Sequence, residues 1–319
     1  MMTDTAKPKV IIVDRAASSL QAGLLAHGYD CATCMDLSYN DFCQLPDEYY
    51  GLVIRSRFQV DAPLLDSKRN LRFIVRLGSG VENIDTAYAE KCGITCLSTP
   101  EGNAQSVAEH ALGLLLCALK NLSKADHEVR QGEWRREANK GHEIGAQKIG
   151  IIGYGHTGPA FAQILRHFGC EIYVYDKFKA ISPEEGIHLS SLEEIQRDCN
   201  VISLHINYLP ENHYWVNEDF LRKLQDGVIL INTCRGSVVD TAALVRALRS
   251  GKVGYACLDV LEYESVRLKI PSKAEWGKPL EELSHCENVT LTPHIAGQTF
   301  EAEQRHADIA LQKILNLQA

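Results

Sequence analysis

Short apolar runs rich in β-branched residues alternate with longer amphipathic stretches along the whole chain. In the first half the runs cover residues 10–13, 31–34, 52–54, 73–75 and 94–97. In the second they cover 149–152, 171–175, 201–204, 228–232, 255–258 and 289–291. Runs this short, separated by helical patterns, predict parallel strands joined by crossover helices. Five strands followed by six predict two separate α/β units, each built on a parallel sheet. Between them, residues 103–136 form a long helical stretch that is apolar on nearly all sides from 111 to 119. A helix of that kind is buried, either at a domain or subunit boundary or in an ordinary core.

The chain's 319 residues exceed what one core usually serves, which supports two domains. With 45% hydrophobic and 23% charged residues, it is neither disordered nor fibrous. A net charge of −8 without any run of five like charges argues against nucleic acid and anionic membrane as partners. An anionic substrate must therefore be met by local arginines. The 11 cysteines cannot all pair and read as thiols of a reducing cytoplasm. Cys31-Ala32-Thr33-Cys34 is the one CxxC; it lacks a second pair for zinc and lies where a strand is expected, so it reads as two small core thiols rather than a metal site. Residues 1–9 contain no apolar run suited to a signal peptide. The longest apolar stretch, 107–119, includes Glu109 and His110 and is too short to span a bilayer.

The strongest local motif is Gly153-Tyr154-Gly155-His156-Thr157-Gly158. A strand, Lys148-Ile149-Gly150-Ile151-Ile152, precedes it; a helical pattern over 159–168 follows; and Asp176 ends the next strand. That context is the dinucleotide-binding fingerprint. Gly153 permits the tight turn, Gly155 lets the backbone approach a pyrophosphate, and Gly158 lets helix pack on strand. The helix N-terminus offers N–H groups to the phosphates, and Pro159 in the first turn has no N–H to leave unpaired. Asp176 suits the ribose hydroxyls and repels a 2′-phosphate, which favours NAD over NADP, although Lys177 and Lys179 stand close by in sequence.

Later motifs resemble those of the D-isomer-specific 2-hydroxyacid dehydrogenases. They are Asn232-Thr233-Cys234-Arg235-Gly236-Ser237-Val238-Val239-Asp240, Leu258-Asp259-Val260-Leu261-Glu262-Tyr263-Glu264 and Thr292-Pro293-His294-Ile295-Ala296-Gly297. Upstream, Gly78-Ser79-Gly80-Val81-Glu82-Asn83-Ile84-Asp85 and Asn103-Ala104-Gln105-Ser106-Val107-Ala108-Glu109 fit as well. The resemblance implies two doubly wound domains, with a Rossmann domain, 102–295, inserted into a flavodoxin-like substrate domain made of 1–101 and 296–319. It implies an active site in the cleft between domains and a homodimer formed through the segment after Asn103. It assigns His294 as acid/base, Glu264 as its partner and Arg235 as the group that holds the substrate carboxylate. Those residue types suit reduction of a 2-oxo acid: imidazole can carry the proton, a neighbouring carboxylate favours the imidazolium, and guanidinium grips a carboxylate with two donors. On the NAD side the resemblance places Gly153, Gly155, His156, Thr157, Gly158, Asp176, Thr233, Cys234, Asp259, His294 and Gly297. On the substrate side it places Arg55, Ser56, Ser79 and Gly80 with Arg235.

Three features depart from the family's pattern. Ser265 follows Glu264 where proline is usual, Thr157 replaces an aliphatic residue, and His205-Ile206-Asn207-Tyr208-Leu209-Pro210 replaces a proline-leucine-threonine-proline run. The expected substrate is a small anionic 2-hydroxy or 2-oxo acid. Arg55-Ser56-Arg57 resembles phosphoglycerate dehydrogenases, with the 3-phosphoglycerate/3-phosphohydroxypyruvate pair as substrate; glyoxylate or hydroxypyruvate reduction is the alternative. No C-terminal regulatory domain of such enzymes is present, so serine feedback through one is not expected. A different class, a non-catalytic NAD-sensing corepressor-like protein, shares the same motifs.

Overall fold

The computed structural model describes residues 7–182, 185–265 and 267–317. These form two compact units. One comprises the described parts of Met1–Asn103, Ser265–Leu268 and Gln298–Ala319; the other comprises those of Ala104–Glu264 and Lys269–Gly297. The division thus falls at 103 and 298, two residues beyond the boundaries read from sequence, and the loop after Glu264 groups with the first unit. Gly102 explains the first offset. Its carbonyl accepts from Arg305 Nε at 2.8 Å and its N–H reaches Thr99 O at 3.0 Å, which ties the turn to the first sheet.

In the first unit the chain runs β1 (Lys9–Ile12), α1 (Ser18–Ala26), β2 (Asp30–Thr33), α2 (Tyr39–Gln44), β3 (Tyr49–Ile54), α3 (Ala62–Asp66), β4 (Phe73–Arg76), α4 (Thr86–Lys91) and β5 (Thr95–Ser98). The strands are parallel in the order β2-β1-β3-β4-β5, the flavodoxin-like arrangement. Alternation along β1 sends Ile11 and Val13 to the core shared with Phe42, Leu64 and Ile84. Val10 and Ile12 point to the opposite core, shared with Leu20, Leu24 and the C-terminal helix Phe300–Asn316 through Ala307, Ala310 and Ile314. The same alternation separates Cys31 and Cys34, which pack into opposite cores; burial pushes the Cys31 thiol up.

The second unit begins with α5 (Ala104–Lys120) and α6 (Leu122–Arg130). It continues through β6 (Lys148–Ile152), α7 (Thr157–Leu165), β7 (Glu171–Tyr175), β8 (Ile187–Leu189), α8 (Leu192–Asp198) and β9 (Val201–Leu204). It ends with α9 (Glu218–Arg222), β10 (Val228–Asn232), α10 (Thr241–Ser250), β11 (Val253–Leu258), α11 (Lys278–Ser284) and β12 (Val289–Leu291). Seven parallel strands stack in the order β12-β11-β10-β9-β6-β7-β8, one more than the sequence pattern predicts. The extra strand, β8, buries only Ile187, so its apolar signal is a single residue. The sheet's direction of winding reverses between β6 and β9, the position at which open α/β sheets bind ligands.

The expected single helix over 103–136 is two helices, broken at Asn121 with φ +53°. Asparagine adopts that left-handed conformation more readily than most residues, and α6 then starts in a new direction. Within its own unit α5 is a core helix: Ala108, Ala111, Leu114, Leu115 and Ala118 pack with Ile149, Ile151, Phe161 and Leu165.

Buried His306, on the C-terminal helix, closes the crest of the first sheet. Its Nδ1 lies 2.7 Å from Thr99 Oγ1, which also receives the N–H of Gly78 at 3.0 Å. Burial, reinforced by the charges of Arg55, Arg76 and Arg305, pushes its pKa down to about 4. Between the ordinary histidine range and that value, the unfolded chain binds a proton that the folded chain refuses. Stability should therefore fall as pH drops from about 6.5 to 4. In thermal melts, His306→Asn, which keeps an acceptor for Thr99 but cannot titrate, should flatten part of that slope; parallel curves for parent and variant would show that His306 accepts its proton while folded.

Candidate active site

The glycine turn after β6 has the geometry its sequence predicts. Gly153 has φ +96°, and a Cβ there would lie 2.4 Å from His205 O. At Gly158 a Cβ would lie 2.2 Å from Gly153 O, so only glycine lets α7 sit this close to the strand. A Cβ on Gly155 would meet nothing within 4 Å, leaving its exposed backbone open to approach. His156 is the exposed N-cap residue of α7 and makes no side-chain cap.

Asp176, at the end of β7, accepts N–H bonds from Tyr154 at 2.7 Å and from Phe178 and Lys179 at 2.8 Å each. Burial alone raises a carboxyl's pKa, but these donors and the Lys179 charge outweigh it and hold Asp176 below the usual range. Both neighbouring lysines are engaged elsewhere: Lys177 pairs with Glu211 at 2.9 Å and Lys179 donates to Tyr154 O at 3.1 Å. The buried Thr233 Oγ1 has no hydrogen-bond partner among the described residues, and Cys234 beside it is buried with its thiol pushed up to about 11 by burial. Two close-packed glycines flanking an open one, an ionised strand-end aspartate and an orphaned hydroxyl are a donor and acceptor set that fits a nicotinamide dinucleotide.

Fully buried Asn232 shapes the turn that presents Arg235. Its amide donates to Arg235 O at 3.0 Å while its oxygen accepts from Cys234 N at 3.1 Å. At Gly236 a Cβ would lie 1.9 Å from the Leu261 carbonyl carbon, so the glycine brings this turn against the segment that leads to Glu264. Glu264 is then held at both ends. One oxygen accepts from Leu261 N at 2.7 Å, and the other lies 2.5 Å from His294 Nδ1. A carboxylate accepts, so Nδ1 carries the hydrogen and Nε2 is left for chemistry.

His294 itself is strained, with φ +54°, a conformation that costs a side-chain-bearing residue about 1–2 kcal/mol. Asp259 holds it there. The main-chain carbonyl of Asp259 accepts from His294 N at 2.7 Å; its carboxylate accepts from Ile295 N at 2.9 Å, Ala296 N at 2.8 Å and Thr292 Oγ1 at 2.5 Å. Burial opposes ionisation, but the hydrogen bonds from His110, Thr292, Ile295 and Ala296 win and lower the pKa. The Asp259 side chain has 0% exposure, and its carboxylate holds the His294 loop. Gly297 ends the same loop, half-buried.

The remaining expected residues lie in the first unit. Asp14, just past β1, accepts from the N–H groups of Arg55 at 2.7 Å and of Ser56 and Arg57 at 3.1 Å each, and it pairs with Arg57 Nε at 3.2 Å. Arg57 is thereby neutralised. Arg55 reaches Gln298 Oε1 at 3.2 Å and makes no ion pair among the described residues. Gly78, with φ +153°, turns the chain into Ser79 and Gly80, whose N–H groups donate to nothing among the described residues.

Residues 112–296 match the model of the D-isomer specific 2-hydroxyacid dehydrogenase, NAD binding domain. The chain belongs to this family. It is 32% identical over 97% of its length to a D-3-phosphoglycerate dehydrogenase of Archaeoglobus fulgidus, of which it spans 57%. It is 34% identical over 88% of its length to a hydroxypyruvate reductase of Thermotoga maritima, covering 89% of that protein. Among solved structures, a D-lactate dehydrogenase of Aquifex aeolicus in complex with NAD and lactic acid superposes with a TM-score of 0.81 at 26% identity, over 97% of this chain and 95% of that one.

Two of this chain's departures from the family pattern turn out to be one feature. Thr157 Oγ1 lies 3.1 Å from Nδ1 of His205, whose Nε2 lies 2.8 Å from Ser203 Oγ and whose ring packs 5.5 Å from that of Phe161. Burial pushes His205 down to about 3, so it is a neutral hydrogen-bonding group beneath the glycine turn rather than a charge. Denaturant titrations should show Thr157→Val and His205→Leu each destabilising by about 1–3 kcal/mol, because each leaves a buried partner unsatisfied. The double variant should lose clearly less than the sum, since an apolar pair satisfies itself. Strict additivity would mean that the two residues act separately.

Proposed function

We propose that the protein is an NAD-dependent oxidoreductase that interconverts a D-2-hydroxy acid and its 2-oxo acid. The His294–Glu264 pair at 2.5 Å, in the same unit as the dinucleotide turn, carries this reading. The dinucleotide supplies the hydride for reduction or accepts it in oxidation. In reduction His294 gives the proton on Nε2 to the carbonyl oxygen as the hydride reaches the carbon; in oxidation it takes that proton back. Glu264 keeps Nδ1 protonated and opposes the positive charge on the ring. Arg235 grips the substrate carboxylate with its fork of donors, and the open N–H groups of Ser79 and Gly80 support the same carboxylate. The first unit is thus the substrate-binding domain and the second the NAD-binding domain. Ionised Asp176, with Lys177 and Lys179 engaged elsewhere, favours NAD over NADP.

Within this reading the substrate is phosphorylated, as in 3-phosphohydroxypyruvate. Arg57 is neutralised by Asp14, whereas Arg55 faces the neutral amide of Gln298 and makes no ion pair among the described residues, so its charge is left to meet a phosphate. Exposed Leu122, Val129 and Trp134, along and just after α6, support a homodimer formed through that segment. All eleven cysteines are free thiols, which fits a reducing cytoplasm. No described helix is long and apolar enough to cross a membrane.

His294→Ala should lower kcat for 2-oxo acid reduction by about 10²–10⁴, with NADH affinity largely kept, and Glu264→Gln should lower it less but at least about tenfold. Steady-state NADH oxidation and fluorescence titration of NADH check both; near-parental turnover in His294→Ala would remove the assignment. Arg55→Ala should weaken binding of 3-phosphohydroxypyruvate by roughly 1.5–3 kcal/mol and that of hydroxypyruvate much less. Equal losses in KM for the two acids would point to the unphosphorylated substrate instead.

A further inference from the structure

We propose that His110, on α5, is a positioning residue for the proton-transfer histidine and acts through the hydroxyl of Thr292. His110 Nε2 lies 3.0 Å from Thr292 Oγ1 and 3.4 Å from Asp259 Oδ1, while Thr292 Oγ1 lies 2.5 Å from Asp259 Oδ1. A threonine hydroxyl has one hydrogen, and the carboxylate takes it. The Thr292 oxygen must then accept from His110, which sets His110 as the Nε2–H form and gives the chain one direction, from imidazole N–H through hydroxyl to carboxylate.

Thr292 stands two residues before His294. Its own N–H is pinned to Leu258 O at 3.0 Å, and Pro293 between them has no N–H to donate. The left-handed turn at His294 is uphill for a residue with a side chain and persists only if both flanks are held. Asp259 holds the far flank through Ile295 and Ala296, and the hydroxyl of Thr292 holds the near one. His110 adds the one side-chain contact to this clamp that comes from outside the loops following β11 and β12. It comes from a helix anchored in the unit's core through Ala108, Ala111, Leu114, Leu115 and Ala118, so the clamp is referenced to a rigid element. None of these contacts reaches the reacting atoms. The effect of losing them is a displaced imidazole, and displacement by a fraction of an ångström to 1 Å slows a reaction far more than it weakens binding.

The proposal rests on the proton-transfer role of His294, so two kinds of readout are needed. In the full-length protein, Thr292→Val and His110→Leu should each lower kcat for 2-oxo acid reduction on the order of tenfold, with substrate KM and the NADH Kd moving less than about twofold. Thr292→Ser and His110→Gln, which keep a hydroxyl and an N–H donor, should recover most of the loss. Because both residues act in one chain, the double variant should be no slower than the worse single. Independently of turnover, the imidazole signal of His294 in histidine-labelled NMR spectra, assigned by its absence in His294→Ala, should shift or broaden in both loss variants. Unchanged kcat and an unmoved His294 signal in Thr292→Val would overturn the proposal. So would KM and Kd rising as far as kcat falls, or losses that multiply in the double variant. Normal turnover in His294→Ala would instead remove the catalytic reading, and the NMR arm would still decide whether His110 positions the ring.

Discussion

A carboxylate without exposed surface, Asp259, holds the loop on which the candidate chemistry depends. His294 occupies a left-handed conformation as its ring meets Glu264, and that conformation is uphill for a residue with a side chain. The bonds from Asp259 to the residues on either side make the strained geometry the lowest state available to the loop. They also explain how a charge survives in the interior: the Ile295 and Ala296 N–H groups and the Thr292 hydroxyl replace the water it has lost. The same carboxylate sits where β10 and β11 end together, since Asp259 N donates to Asn232 O at 3.0 Å, and Asn232 in turn shapes the Arg235 turn. Three candidate residues distant in sequence are thus registered to one pair of strand ends.

That device recurs. Asp14 after β1, Asp176 after β7 and Asp259 after β11 each accept at least two main-chain N–H groups from loops at the crest of their sheet. The ends of parallel strands leave such N–H groups without ladder partners, and loops that turn sharply cannot satisfy them internally. A short carboxylate satisfies several at once and fixes the loop's path. In the first unit this shapes the arginine loop, in the second the glycine turn and the histidine loop. The three aspartates are therefore architectural groups at the crests of their sheets, each satisfying several N–H groups because a carboxylate oxygen can accept more than one bond.

The Thr157–His205 contact shows how a departure from a family pattern is absorbed. Either residue alone beneath the glycine turn would leave a polar group buried without a partner. Together, with Ser203, they satisfy both ring nitrogens, and the turn keeps the close approach that Gly153 and Gly158 allow.

Periodicity and punctuation in the sequence determined the two α/β units, eleven of the twelve strands and the glycine turn, because each rests on local pattern; Arg235, Glu264 and His294 became candidates only because their motifs resemble a family's. An aspartate stands just past an apolar run at 14, 176 and 259; the second was legible from the dinucleotide fingerprint and the third only through the family resemblance, while nothing local singled out Asp14. The pairing of β8, with one buried residue, lay below what local hydrophobicity can signal. So did the break at Asn121, which depends on a single dihedral. Tertiary structure alone decided that Arg57 is neutralised while Arg55 is not, that Asp259 serves the histidine loop, and that Thr157 meets His205. The reason is physical: hydrogen bonds and ion pairs of a few ångströms link residues tens to hundreds of positions apart, and which donor meets which acceptor follows from strand order and register, which no local pattern encodes.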